Sequence, residues 1–344
     1  MKKSISLKVT AFVTVFAMML TGCAGSTPAT TTPADTTPVT AEENVPEEPT
    51  TVEITDIYGT VTVPIKPKTV VALDNRTFQT LEDWGIELAA APKPVMPSGL
   101  AYKTDDAIQD VGSHNEPNLE VIAAVNPDLV IVGQRFASRY EDIKALVPNA
   151  AVINLNFDVS VDAQSPGDNF VNGFKDSTLA LGQIFDKNAE AEKLVADFED
   201  AIAKIENAYD PSQTIMTLVT SGGNIRFSAP MAGRVWGPMY EIFDWTSSLY
   251  VEGVSSDHQG DDISIEAIAQ SNPDWIFVLD RDAMNTSADG YVPAYDLIAA
   301  SPALGNITAV TQNQMVFAPN DTYTNESIQT YIKLFADIAD ALSK

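Results

Sequence analysis

Glu120-Val121-Ile122-Ala123-Ala124-Val125-Asn126-Pro127-Asp128-Leu129-Val130-Ile131-Val132 returns 146 residues later as Glu266-Ala267-Ile268-Ala269-Gln270-Ser271-Asn272-Pro273-Asp274-Trp275-Ile276-Phe277-Val278. The shared pattern is Glu-x-Ile-Ala-x-x-Asn-Pro-Asp-x-x-x-Val. Proline cannot continue a helix, so a short helix is predicted to end before Pro127 and again before Pro273. The apolar run after each aspartate reads as a buried strand. Solenoid repeats recur every ~20–50 residues. The far longer spacing here predicts two similar lobes, each with its own strands and helices.

The rest of the chain fits around these two copies. Residues 52–63 alternate like an edge hairpin. Residues 68–74 form a short β-branched strand that leads into a helix over 77–84. Short buried strands alternating with helical stretches predict an α/β fold: two Rossmann-like lobes with mainly parallel strands. Between the copies, residues 169–209 are rich in Ala, Leu, Glu and Lys at helical spacing, with a break near Asp186-Lys187. The predicted organisation is an N-terminal lobe over 52–168, a helical connector over 169–209 and a C-terminal lobe over 210–344. Two lobes on a stiff connector leave a cleft, and clefts at domain interfaces are where ligands bind.

Ahead of the lobes the sequence carries an address. Lys2, Lys3 and Lys8 precede an apolar stretch over 9–20, and Leu20-Thr21-Gly22-Cys23 follows. A basic start, a short apolar core and small residues describe a secretory signal over 1–22, too short for a comfortable membrane span of ~20 apolar residues. The run ending in Cys23 resembles the lipobox of bacterial lipoproteins, which implies cleavage before Cys23 and acylation of its thiol. A leftover thiol behind an ordinary signal is the other reading. The Thr-, Pro- and Glu-rich segment over 23–51 cannot bury enough surface to fold and reads as a disordered tether. Such a tether leans toward a Gram-positive cell surface. Cys23 is the chain's one cysteine, so the remaining residues form no disulfide and must be stabilised by a large apolar core.

The net charge is −27, and the segment ahead of Cys23 carries lysines and no acid, so the rest is more acidic still. That surface repels nucleic acid and anionic lipid, which leaves a covalent acyl anchor as the route to the membrane. There is no Gly-rich phosphate loop, no nucleophile elbow and no His-Glu-x-x-His, so the chain does not read as an enzyme and implies no intrinsic cofactor. Arginine is scarce. Arg135 and Arg281 follow equivalent strands of the two repeats, at the C-terminal strand ends where open α/β sheets bind ligands. Arg234 follows a turn-like stretch, 222–230. Together they would make a local anion-binding patch in an acidic protein, though each could instead pair with a nearby surface acid. His114 and His258, the two histidines, sit in polar loops and are too far apart in sequence to resemble a clustered metal site.

From residue 52 onward the chain resembles the substrate-binding lipoproteins of ferric siderophore ABC importers, in the group that takes catecholate and mixed catecholate–citrate siderophores. The stretches 110–117, 126–131, 227–234 and 272–281 carry the resemblance. It implies a class III periplasmic-binding-protein fold, two lobes joined by a long connecting helix with little closure, acting as a monomer. It implies that Arg135, Arg234 and Arg281 surround an anionic ferric complex, because arginine offers both charge and directed donors. It implies that His258 and Tyr323 also face the ligand, and reach iron when the siderophore leaves coordination sites open. The chain lacks the family's small glycine-rich insert after Tyr323. Glu120 and Glu266 match the glutamates that meet arginines of the permease; as ordinary acids they would simply favour the first turns of their helices. The implied partners are the ferric siderophore, the permease and its ATPase. Haem, a cobamide or a hydroxamate siderophore on the same scaffold is the alternative.

Overall fold

A computed structural model describes residues 49–160, 162–255 and 258–344. The signal over 1–22, Cys23 and most of the 23–51 tether lie outside the described residues. The hairpin comes first, with β1 (Thr51–Asp56) and β2 (Gly59–Pro64) pairing antiparallel from Asp56↔Gly59 outward. Then follow β3 (Val70–Ala72), α1 (Phe78–Asp83), β4 (Ala90–Ala91), β5 (Gln109–Asp110), α2 (Leu119–Ala124), β6 (Leu129–Val132), α3 (Tyr140–Leu146) and β7 (Ala151–Asn154). Their strands form a parallel sheet in the order β5-β4-β3-β6-β7.

Two long helices follow, α4 (Pro166–Phe185) and α5 (Asn188–Ala208), parted at Asp186, whose backbone is left-handed at φ 55°. The second sheet is built from β8 (Thr214–Ser221), β9 (Asn224–Phe227), β10 (Thr246–Ser247), β11 (Trp275–Asp280) and β12 (Met315–Phe317). Its parallel order is β10-β8-β11-β12, with β9 folded back antiparallel on β8. Its helices are α6 (Gly237–Ile242), α7 (Ile265–Ser271), α8 (Ala294–Ala299), α9 (Thr308–Thr311) and the closing α10 (Ile328–Leu342).

Period-two alternation explains the continuous apolar runs. In β6, Leu129 and Ile131 enter one core while Val130 and Val132 enter the core on the opposite face. In β11, Trp275, Phe277 and Leu279 enter one core and Ile276 and Val278 the other. A parallel sheet covered on both faces needs apolar residues at every strand position.

The repeated Asn-Pro-Asp turn does the same work in both lobes. Asn126 and Asn272 are both left-handed, at φ 47° and 42°, a conformation asparagine tolerates better than most residues. The proline is buried in each copy. Asp128 then accepts the backbone N–H groups of Lys68 at 2.8 Å and Thr69 at 3.0 Å, just ahead of β3. Asp274 accepts from the Thr214 N–H at 2.7 Å and its hydroxyl at 2.9 Å, at the start of β8. Each turn therefore stops a helix and pins the neighbouring strand's first residues.

The lobes are bridged by α4. Its N-terminal half places Phe170 and Phe174 in the core shared with β8, β11 and α10, and its C-terminal half places Leu181, Ile184 and Phe185 in the first lobe's core. Twenty helical residues span about 30 Å, enough to reach both cores. A second bridge runs from α10's entry to α1. Asn325 and Ser327 donate to the Gln79 side chain at 2.7 and 3.2 Å, and Gln329 donates to Asp83 at 3.0 Å.

Candidate functional site

Between the lobes lies a cavity of roughly 320 Å³, lined among others by Arg76, Asn156, Arg234, His258, Glu326 and Tyr331. Its residues come from just past strand ends: Arg76 after β3, Gln134 after β6, Asn156 after β7. Two glycines make close approaches beside its cations. A Cβ on Gly133 would run into the Asp74 side chain, and one on Gly233 into Ser228 Oγ. Each directly precedes the segment that carries an arginine, Gln134-Arg135 in one case and Arg234 in the other.

Beside this cavity the guanidinium groups of Arg135, Arg234 and Arg281 surround one ring, that of Tyr323, at 5.8, 4.9 and 4.8 Å from its centroid. The negative ring face attracts cations. The Tyr323 carbonyl accepts from Arg135 Nη2 at 3.3 Å, and Arg281 Nη1 donates to Ser221 Oγ at 3.1 Å. His258 stands near the same ring, with centroids 6.1 Å apart. The structure thus brings together Arg135, Arg234, Arg281, His258 and Tyr323, from five connections in two lobes. Of the chain's six arginines, Arg76 and Arg234 line the cavity, and Arg135 and Arg281 stand beside it around the Tyr323 ring.

The three cations are not bare. Glu326, buried just ahead of α10, pairs with Arg234 and lies 3.8 Å from Arg135. Arg281 has Asp282 at 3.7 Å. Burial, followed by the neighbouring charge of Arg135, lowers the Arg234 guanidinium to about 10, still protonated at neutral pH. Burial likewise lowers that of Arg135. His114 is held below its ordinary value, first by burial and then by the charges of Arg135 and Arg234. The Tyr331 phenol is pushed up to about 12 by burial, so it remains a hydrogen-bond donor.

Sequence reasoning missed Arg76, Glu326 and Tyr331, and took His114 for an ordinary loop residue. Arg76 carried a usable signal, because it follows a buried strand just as Arg135 does. Glu120 and Glu266 are exposed in the first turns of α2 and α7 and do not line the cavity. Among the described residues no cluster of three or more His, Cys, Asp or Glu side chains could hold a metal ion, and no helix is long and apolar enough to cross a membrane. The site is a cationic, aromatic-walled cleft suited to an anion.

Residues 70–322 match the model of the family described as Periplasmic binding protein. The petrobactin-binding protein YclQ of Bacillus subtilis is 24% identical over 287 residues, covering 82% of this chain and 84% of that protein. The ferric-anguibactin-binding protein FatB of Vibrio anguillarum is 28% identical over 282 residues, covering 81% and 83%. Among solved structures, the periplasmic catecholate-siderophore binding protein VctP of Vibrio cholerae superposes with a TM-score of 0.68 at 24% identity, covering 84% of this chain and 99% of that one.

Proposed function

The chain belongs to the periplasmic binding protein family, and on that premise we propose that it captures an anionic ferric siderophore of the catecholate type in the interlobe cleft and delivers it to an ABC permease. The observation that carries this reading is the ring of Arg135, Arg234 and Arg281 around Tyr323. A ferric tris-catecholate carries about three negative charges, and guanidinium groups supply both the charge and directed donors to its oxygens. A hydroxamate complex is neutral and gives such a cluster nothing to pair with. The names of the relatives, which bind petrobactin and ferric anguibactin, agree with a ferric complex as cargo. A siderophore that leaves iron sites open would meet His258 and Tyr323.

Glu120 and Glu266 suit permease docking. Each sits in the first turn of a helix that runs back along the following strand, so both lie toward the strand ends that form the cleft. Acylation at Cys23 would hold the receptor at the membrane and raise its effective concentration for the permease.

The test is tryptophan fluorescence quenching. Trp236 lies two residues from Arg234 and is fully buried, so a dark iron complex in the cleft should quench it. Ferric catecholates are expected to bind tightly, with ferric hydroxamates, haem and cobalamin much weaker. Arg135→Ala, Arg234→Ala and Arg281→Ala should each weaken ferric-catecholate binding by tenfold or more. Unchanged affinity in all three variants would overturn the reading.

A further inference from the structure

A second cavity, of roughly 360 Å³, shares the wall segment 156–158 with the cleft but none of its arginines. Its volume falls in the range that holds small-molecule ligands. Three elements enclose it: the tip of the β1–β2 hairpin, the end of β7 and one face of α4. Asn169, Asn172 and Asp176 lie along that face, at the spacing that stacks side chains turn upon turn. The wall segment reaches α4 because position 173 is glycine; a Cβ there would run into the Phe157 ring. Asp56 latches the hairpin to the rim by accepting the Asn154 N–H at 2.7 Å.

Asn154 marks this cavity as more than a surface groove. It lines the cavity and is 0% exposed. Its Oδ1 accepts the Asn156 N–H at 2.9 Å, which fixes the orientation of the amide. Its Nδ2 is a buried donor with no partner among the described residues. Such a group is costly to leave unpaired and rare in native proteins. On the facing helix, the Asn172 amide and the Asp176 carboxylate are exposed and likewise make no hydrogen bond or ion pair among the described residues.

The lining selects the chemistry of an occupant. It carries three carboxylates, Asp56, Asp158 and Asp176, and no Lys, Arg or His, so it repels an anion. The described residues hold no acidic cluster able to bind a metal ion, and an amide N–H would meet a cation with its positive end. An apolar ligand would leave Asn154 unpaired. A neutral molecule with acceptors for the amides and donors for the carboxylates satisfies every group. A hydroxyl is both at once, and a sugar ring carries several, with C–H groups to lie against Leu155, Ala180 and Ile57. We propose that this cavity binds a neutral saccharide, free or as a unit of a longer glycan, through Asn154, Asn172 and Asp176. The site is independent of the ferric cargo in the cleft.

Saturation-transfer NMR and melting temperatures test the site with glucose, galactose, maltose, N-acetylglucosamine and the N-acetylglucosamine hexamer. At least one of these should bind wild type at millimolar concentration or below, and a ferric catecholate should not displace it. Asn154→Asp keeps Oδ1 for Asn156 but replaces the donor with a carboxylate oxygen, so it should weaken binding at least tenfold. Asp176→Ala removes an exposed side chain without partners and should weaken binding as much; it serves if the aspartate variant fails to fold. Tighter binding of the hexamer than of N-acetylglucosamine would support a glycan unit as the occupant, and equal binding a free sugar. No binding by any of the five, unchanged affinity in both variants, or displacement by the ferric catecholate would overturn the proposal. So would binding of calcium or spermidine in place of the sugars, which would mark a cation site.

Discussion

Glu326 places one carboxylate between Arg135 and Arg234 where the cleft needs an anion. On the proposed reading, it would stand in for part of the cargo's charge while the cleft is empty. Removing one partner of a buried ion pair strands the other and costs about 3–5 kcal/mol. Glu326→Gln should therefore lower the stability of the empty protein by about that amount. A ferric catecholate should then raise the variant's melting temperature by more than it raises that of wild type. An equal rise in both would show that Glu326 does not balance the arginines the ligand meets. His114 gives a second reading of the same charges. Its pKa is depressed by burial and then by Arg135 and Arg234, so its protonation favours the unfolded chain, and stability falls as pH drops through 6.5. By imidazole NMR, its pKa should rise toward 6.5 in Arg135→Ala and Arg234→Ala. It should rise likewise when a diamagnetic gallium catecholate fills the cleft. Arg135 and Arg281 were legible as candidates because both follow strands of the repeat. Glu326 was not, because in a chain with 47 acids only its burial between two guanidinium groups singles it out.

At the scale of elements the repeat explains itself. Asn126 and Asn272 take left-handed backbones, and Asp128 and Asp274 hold the first residues ahead of or within β3 and β8. Asp128→Ala and Asp274→Ala should each cost about 1 to 2 kcal/mol, since hydrogen bonds to a charged acceptor are lost at a half-buried position. Asn126→Gly should be close to neutral. Asn272→Gly should cost about 1 kcal/mol, because the Asn272 side chain also accepts the Thr308 N–H at 2.8 Å and donates to the Thr308 hydroxyl at 2.9 Å. Valine at either position should cost about 1–2 kcal/mol for its left-handed backbone. Urea unfolding checks all six variants. A clear difference between the two aspartates would mean that the copies do different work, and equal costs for the two glycine variants would mean that the Asn272–Thr308 bonds contribute little. The long strands and the 52–63 hairpin were legible because alternation and apolar runs report burial directly. Ala90-Ala91, Gln109-Asp110 and Thr246-Ser247 were not, because a two-residue strand has no period to detect. β4 and β10 are set by their longer neighbours β3 and β8, and β5 in turn by β4.

For the whole molecule, the two bridges decide how far the lobes can move. A hinge absorbs rotation in a few backbone dihedrals, but α4 is continuous from one core to the other and its ends are anchored by large side chains. Bending it would break backbone hydrogen bonds along its length and open both cores. The contacts of Gln79, Asp83 and Asn75 with residues 324–329 add a second fastening beside the cleft. The ligand must then be met by side chains already in place, which suits a cluster held by Tyr323 and Glu326 before anything binds. Spin labels at exposed Lys144 and Gln312, one in each lobe, would report the interlobe distance once Cys23 is replaced. Ligand binding should shift that distance by less than about 2 Å, a small change of the kind usual for pre-organised partners. The double variant Gln79→Ala/Gln329→Ala should broaden the distance distribution and weaken binding, because ordering the lobes then falls to the ligand. A large closure in wild type would mean that α4 is not the stiff member, and that the arginine ring is completed only on binding.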